Sequence, residues 1–336
     1  MAKRKKIASG ELALIARLRA MAGALPAGRV RLGIGDDCAI LRAPAGHELL
    51  VTTDFSLEGR HFRRAWHSPQ SVGHRTLARG LSDISSMGGQ PLAAFLSLAL
   101  PRAVAQDIRW MDGFLAGLLT LAAQNKVPLA GGDTSEAPGT EVLADIMLIG
   151  SAPAGRALTR SGARAGDIIY CTGALGGAAA ELAALSKTPT RFRHAQSSDE
   201  HPHLFPQPRL AVGQALLRRK LASACIDISD GLSTDLQHLC EASGVAAELD
   251  AALLPAHPLT AALAPAAQMA AILHGGEDYE LLFTAPAKTK IPRSLAGVPI
   301  TRIGRIVPRK KSRARMSIVA EDTRFELQPR GWEHLR

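Results

Sequence analysis

Apolar positions recur along the chain at two spacings, and the switches between them mark out its elements. After Ser9-Gly10-Glu11, the residues Leu12, Leu14, Ile15 and Leu18 fit one face of a capped helix. Residues 30–34 and 38–41 are short extended pieces flanking Gly35-Asp36-Asp37, and 47–53 form a strand that ends at Asp54. Helical spacing returns over 69–87 (Val72, Leu77, Leu81, Ile84) and stops at Gly88-Gly89. A buried strand over 92–100 is closed by Pro101. A long helix then covers 106–125, a strand over 127–130 runs into Gly131-Gly132-Asp133, and 141–150 is another strand. After a small, polar and basic stretch at 151–164, the pattern restarts. It predicts a strand at 167–172, an Ala-rich helix opening at Gly173–Gly177 and running to Leu185, a helix at 209–221 and a strand at 224–228. A helix from Gly231 to Ala242 and strands at 279–284 and 300–307 follow. Between these, residues 186–208 hold four Pro and three His and read as a surface loop.

This alternation predicts an α/β (α+β) fold of mixed sheets covered by helices, in two domains, 1–150 and 151–336. The length of 336 residues agrees, at about 150 residues per domain. Hydrophobic residues at 46% and charged residues at 21% exclude a disordered chain, a coiled coil and a collagen-like rod. The apolar runs are about ten residues long, too short to span a bilayer. The basic start is not followed by the apolar region of a signal peptide, so a cytoplasmic, enzyme-sized protein is expected.

Charge changes the picture less than it promises. Lys and Arg exceed Asp and Glu by 40 to 30, with dense runs at 3–6 and 309–315, which raises a basic nucleic-acid binder as the competing class. Aromatics are only 4% and do not interleave with those runs, so a stacking platform for single strands has no support. Cys38, Cys171, Cys225 and Cys240 lack C-x-x-C spacing and accompanying His clusters, and read as small reduced side chains rather than zinc ligands.

The aspartates carry the chemistry. Gly35-Asp36-Asp37, Thr52-Thr53-Asp54, Ser82-Asp83, Gly131-Gly132-Asp133 and Asp227-Ile-Ser-Asp230-Gly231 are read as one recurring context, in which a strand ends, small residues follow and an Asp appears. Carboxylates converging on one rim of a sheet repel one another, and divalent cations relieve that. Oxygen ligands without His or Cys indicate Mg²⁺, which keeps waters and shares a substrate phosphate. The chemistry suggested is phosphoryl transfer from a nucleotide. The familiar phosphate signatures are missing. Gly23 and Gly28 have P-loop spacing, but Arg29-Val30 follows, Gly33-x-Gly35 lacks its third glycine, and no protein-kinase motif set is present.

Gly33-Ile-Gly-Asp-Asp-Cys-Ala39, Leu81-Ser-Asp83 with Met87-Gly88, Gly131-Gly-Asp-Thr134, Gly155-Arg-Ala-Leu-Thr-Arg-Ser-Gly162, Ile226-Asp-Ile-Ser-Asp-Gly-Leu232 and Gly275-Gly-Glu-Asp-Tyr-Glu-Leu281 occur in this order over nearly the whole chain. As an ordered set they resemble the thiamine-monophosphate kinases, of the aminoimidazole ribonucleotide synthetase superfamily. The resemblance implies a two-domain homodimer, joined through sheets of the N-terminal domains, that uses ATP and several Mg²⁺ ions to convert thiamine monophosphate to thiamine diphosphate.

It also implies roles. Asp37, with Asp36 beside it, would bridge metals, as would Asp83. Thr52, Thr53 and Asp54 would ligate Mg²⁺ through hydroxyl, backbone or carboxylate oxygen. Asp133 would hold a metal on the nucleotide phosphates, with Gly132 allowing close approach. Asp227 and Asp230 would be ligands from the second domain, and Arg160 and Ser229 would contact ATP. His61, in Glu58-Gly-Arg-His-Phe62, would touch the thiamine phosphate, while Glu277 and Trp332 would hold the thiamine moiety. Residues 53–58 are bulkier and more acidic than the family pattern, although the Gly-x-His-Phe end is intact. The acceptor is already an anion at neutral pH, so no general base is expected, and alignment and charge neutralisation would carry catalysis.

Other members of the superfamily compete. A selenophosphate synthetase should carry a reactive Cys in its N-terminal segment, and residues 1–32 have none. A hydrogenase-maturation dehydratase should end in a Cys tail, whereas this sequence ends Trp332-Glu-His-Leu-Arg336. The Gly-Gly-Glu-Asp-Tyr-Glu-Leu motif argues against aminoimidazole ribonucleotide synthetase itself.

Overall fold

A computed structural model describes residues 11–23, 28–198, 200–310 and 315–332. The cap at Ser9-Gly10, the basic run at 3–6 and residues 311–314 of the second basic run lie outside the described residues. The first half contains α1 (Glu11–Ala22), β1 (Val30–Leu32), β2 (Ile40–Leu41), β3 (His47–Leu57), α2 (Pro69–Ser86), β4 (Gln90–Leu100), α3 (Arg102–Ala105), α4 (Ile108–Gln124), β5 (Leu129–Glu136) and β6 (Leu143–Pro153). The second contains β7 (Ile168–Thr172), α5 (Gly177–Lys187), α6 (Leu210–Arg218), β8 (Ala224–Ile228), α7 (Leu232–Ser243), β9 (Ala246–Asp250), α8 (Pro265–His274), β10 (Glu280–Ala285), β11 (Ser294–Leu295), β12 (Val298–Val307), β13 (Met316–Ala320) and β14 (Thr323–Glu326).

The strands form two main sheets, one in each half. The first has the order β3-β6-β4-β5, antiparallel except for the β4–β5 pair. The second has the order β14-β13-β9-β12-β7-β10-β8, with β11 added on β12 and only β13–β9 parallel. This is the expected mixed α/β architecture. Several elements differ from their sequence reading, and the strand read at 127–130 runs instead from Leu129 through Asp133 to Glu136. The strand at 47–53 continues through Asp54 to Leu57, paired with β6 along its whole length. The helix at 106–125 begins only at Ile108, because the Asp107 carboxylate caps it, accepting from the Arg109 and Trp110 amides. The segment 186–208 is a surface loop only in its first part: His203, Leu204 and Phe205 are buried.

Helix α2 is the centre of the molecule. Ser68 caps it, Pro69 opens it, and fourteen of its residues are buried. On one side it crosses α4 so closely that a Cβ at Gly117 would overlap the Gln70 carbonyl. On the other, a Cβ at Gly213 of α6 would overlap the Ser85 carbonyl. One hydrophobic core therefore runs through both halves, from Leu77, Leu81 and Phe114 to Leu216, Leu281 and Phe283. A second core, built on Ile226, Leu236 and Leu282, belongs to the second half alone.

Candidate active site

A helix that is buried almost all round has to pair any charge it carries. In α2 those charges are Arg75, Arg79 and Asp83, four residues apart, so they form one stripe. The stripe faces a cleft of ≈ 350 Å³ between the two halves. Arg79 and Asp83 line this cleft with Asp54 and His61 of the first half and Asp227, Ser229, Asp230 and Glu277 of the second. Ala178, Ala179, Leu182 and Trp332 give it an apolar wall, and Arg60, His203, Gly276 and Tyr279 complete its lining.

At one end are carboxylates. Thr52 donates its hydroxyl to Asp83. Ser82 donates to Asp227 at 2.7 Å, joining α2 to β8. Burial pushes Asp54 up to about 6, with Asp83 and Asp145 adding to the rise and Arg79 opposing it. Asp83 is also raised, by burial against the pull of Thr52, Arg160 and Arg79. Asp227 is raised to about 7, by burial first and then by the charge of Asp83. The neighbouring loop is held by a residue the sequence reading missed: one oxygen of Asp235 accepts from the amides of Ser229, Asp230 and Gly231, each at 3.1 Å.

At the other end the charges are satisfied. Arg75 donates to Glu277 at 2.7 Å and to the His61 carbonyl at 3.0 Å. Arg79 lies 3.4 Å from Glu277 and 3.5 Å from Asp54, and reaches the Tyr279 hydroxyl at 3.2 Å. Burial opposes ionisation of Glu277, yet Arg75, the His203 hydrogen bond and Arg79 hold its carboxyl well below the usual range. Glu277 and Tyr279 both have left-handed backbones, with φ of 67° and 51°. Gly275 and Gly276 serve this turn by close backbone contact: a Cβ at either would meet the Ala271 or the Ser229 carbonyl.

The expected strand-end context for the aspartates is corrected here. Asp83 lies within α2, Asp54 within β3, Asp133 within β5 and Asp227 within β8; Asp36 and Asp37, after β1, and Asp230, after β8, do follow strand ends. Side chains alternate along a strand, so β3 cannot aim Thr52, Thr53 and Asp54 the same way. Asp54 lines the cleft, and Thr52 shares its face of the strand, with its hydroxyl on Asp83. The Thr53 hydroxyl donates to Asp145 at 2.6 Å on the opposite face, and strand register sets Asp133 in the same row, beyond Ser97 and Asp145. The missing side chain of Gly132 admits the Leu96 carbonyl of β4. Asp36 and Asp37 are exposed in the turn between β1 and β2, where Asp36 accepts from the Asp37 amide at 2.9 Å. Arg160 is outside the cleft lining, although its charge acts on Asp83 and Asp227.

The donor set can be tested against Mg²⁺. Among the described residues no three His, Cys, Asp or Glu side chains stand close enough to hold a metal by themselves. The carboxylates at the acidic end are nevertheless raised partly by one another, the condition of a site short of a cation, and their donors are all oxygen. An incomplete oxygen set suits Mg²⁺, which takes part of its coordination from water and phosphate.

Comparison with known proteins settles the relationship. The AIR synthase related protein models match at residues 35–152 for the N-terminal domain and 164–317 for the C-terminal domain. The thiamine-monophosphate kinase of Escherichia coli (strain K12) is 40% identical over 311 residues, covering 89% of this chain and 91% of that one. The chain belongs to the thiamine-monophosphate kinase family. Among solved structures, the thiamine-monophosphate kinase from Stenotrophomonas maltophilia K279a superposes with a TM-score of 0.80 at 34% identity, covering 94% of this chain and 98% of that one. A structure described as AaThiL complexed with AMPPCP and TMP gives 0.74 at 28%, covering 97% of each chain. The thiamine-monophosphate kinase motifs read in the sequence therefore carry the resemblance that the whole fold bears out. Arg75, Arg79, His203 and Asp235 escaped that reading. The signal for the arginines was their spacing with Asp83 on a helix too apolar to be exposed.

Proposed function

We propose that this chain transfers the terminal phosphoryl group of ATP to thiamine monophosphate, yielding thiamine diphosphate and ADP. The observation that carries this reading is the cleft: crowded carboxylates at one end, and at the other a fixed carboxylate, Glu277, beside an apolar wall that includes Trp332. The first suits a metal-bound polyphosphate, the second a cationic aromatic ring. The relatives that are 40% identical are named for this activity, and AaThiL was solved with both an ATP analogue and TMP.

In this reading Thr52, Asp54, Asp83, Asp227 and Asp230 would hold Mg²⁺. Bound there, Mg²⁺ would neutralise the phosphates and the charge developing in transfer. Asp37, Thr53 and Asp133 are assigned to metals on the nucleotide side, with Gly132, Arg160 and Ser229 at ATP, on motif identity. His61, from the turn after β3, is assigned to the acceptor phosphate, and Glu277 and Trp332 to the ring. Asp235 fixes the loop that carries Ser229 and Asp230, and Arg79 ties Asp54 to the acceptor end. The acceptor oxygen is already anionic, so no side chain has to remove a proton.

The reading extends to a homodimer in the cytoplasm. Leu49, Val51 and Phe55 are 51%, 65% and 62% exposed on the outer face of β3, an apolar surface suited to a second copy. Among the described residues no helix is long and apolar enough to cross a membrane. The test is phosphorus NMR of the protein with ATP, Mg²⁺ and thiamine monophosphate. A diphosphate ester should form in step with ADP and stop with EDTA. ATP turnover without that ester would reject the acceptor, and no turnover by folded protein would reject the kinase reading.

A further inference from the structure

The contacts around Glu277 allow two arrangements of the protons on the rings beside it, and one of them ties those rings to the carboxylate. Glu277 Oε1 faces Arg75 and Arg79; Oε2 faces His203 Nδ1 at 3.2 Å. Arg75 Nη1, which can only donate, lies 3.1 Å from the same Nδ1 and also donates to the His203 carbonyl; the arrangement that satisfies Glu277, which as a carboxylate only accepts, puts the hydrogen on Nδ1. His203 Nε2 lies 3.0 Å from His67 Nε2, a contact that requires one donor and one acceptor. Burial, with Arg75 beside both rings, depresses both histidines, His67 to about 2, so each ring is neutral. With its hydrogen on Nδ1, His203 accepts at Nε2, and His67 donates there. In that arrangement the bare Nδ1 of His67 accepts the Arg63 amide, at 3.2 Å; in the opposite one it donates to the Arg63 carbonyl, at 3.1 Å, and His203 Nδ1 accepts from Arg75. In the first arrangement a chain of hydrogen bonds runs one way, from the Arg63 backbone through two neutral rings to Glu277.

The chain is anchored from both halves. Glu181 of α5 accepts the amides of His203 and Leu204, at 2.7 and 3.2 Å. Ser71 and His74 of α2 bond the Leu204 and Pro206 carbonyls, each at 2.8 Å.

We propose that His203, backed by His67, is a positioning residue for the acceptor end of the cleft, fixing Glu277 without adding charge and so setting where its carboxylate meets the cationic ring of thiamine monophosphate. Two arginines already flank Glu277, and a third cation on Oε2 would repel a cationic ligand. A neutral donor constrains the carboxylate and leaves its charge in place. The segment 201–206 thereby becomes a wall of the acceptor pocket. This inference rests on Glu277 being an acceptor contact.

Steady-state kinetics of the full chain, varying ATP and thiamine monophosphate separately, test it together with thermal unfolding. Loss of one hydrogen bond to a charged group predicts that His203→Ala raises KM for thiamine monophosphate about tenfold. Its kcat and its KM for ATP should stay within about twofold. His203→Asn, whose amide N–H falls near the Nδ1 position, should restore most of the affinity. His203→Gln, whose N–H falls near Nε2, should not. A folded His203→Ala protein with unchanged KM for thiamine monophosphate overturns the proposal, as does equal behaviour of the Asn and Gln variants; those two variants decide the matter if His203→Ala does not fold. Glu277→Gln separates the levels. If it raises that KM while His203→Ala does not, the relay alone fails. If Glu277→Gln leaves it unchanged, the acceptor assignment fails and the relay with it.

Discussion

The two ends of the α2 stripe are opposite in electrostatic condition. Around Asp83 and Asp227, burial favours the protonated forms, and at Asp227 the charge of Asp83 adds to it. Around Glu277, two arginines and a histidine donor outweigh burial and favour the anion. The same residue type, a buried carboxyl, is at one end crowded by its own kind and at the other a finished ion pair. The difference shows which charges belong to the resting structure and which await a ligand.

The sharpest way to break this contrast is substitution at the acidic end. Asp227→Asn and Asp83→Asn should each lower kcat by about 10³-fold, roughly 4 kcal/mol of transition-state stabilisation. Without metal, neither should lower the unfolding temperature, because each removes repulsion. Wild-type turnover at saturating Mg²⁺ in either folded variant would reject the assigned role. At the other end the signs reverse. Arg75→Met leaves a buried Glu277 short of its main partner and should cost about 3 kcal/mol of stability in urea unfolding.

The pH dependence separates the ends more gently. Asp54 and Asp227 have folded values of about 6 and 7 against 3.8 for the ordinary group, so the folded protein holds protons that the unfolded chain has released. Their contribution to stability is complete below about 3.8 and disappears as pH rises through 6 and 7. Glu277, shifted the other way, contributes above its ordinary 4.5 and loses that contribution as pH falls below it. Metal-free protein should therefore lose stability as pH rises from about 4 to about 7, Asp227→Asn should show a shallower loss, and Mg²⁺ should raise the melting temperature most at the alkaline side. The smallest effect belongs to the residue between the ends. Asp54 already has Arg79 at 3.5 Å, so Asp54→Asn should change metal-free stability by less than about 1 kcal/mol.

Much of this was legible in the residues, and the remainder was hidden for physical reasons. Regular apolar spacing placed α2 within a residue of its observed end, and the ordered glycine–aspartate motifs pointed to the family. The strand through Asp54 was cut short because Thr52, Thr53 and Asp54 read as a polar end; cross-strand bonding to β6 keeps them extended. The segment 246–250 escaped notice because Ala246 and Ala247 carry no β signal, and β9 is fixed by pairing with β12 and β13, distant in sequence. His203 sits in a stretch rich in Pro and polar residues, whose composition says surface. It is buried because Glu181, Ser71 and His74 meet its backbone neighbours, a long-range fact that no local pattern carries.

The glycine contacts on both flanks of α2 bear on how such a protein can be recombined. With Gly213 of one half seated on the Ser85 carbonyl of the other, and one core shared across the seam, neither half is an interchangeable module. A chimera grafting the second half of a relative onto residues 1–153 inherits a mismatched saddle under α2 unless the glycine and its apolar surroundings travel together. Divergence on the two sides of this helix is bound to proceed in step.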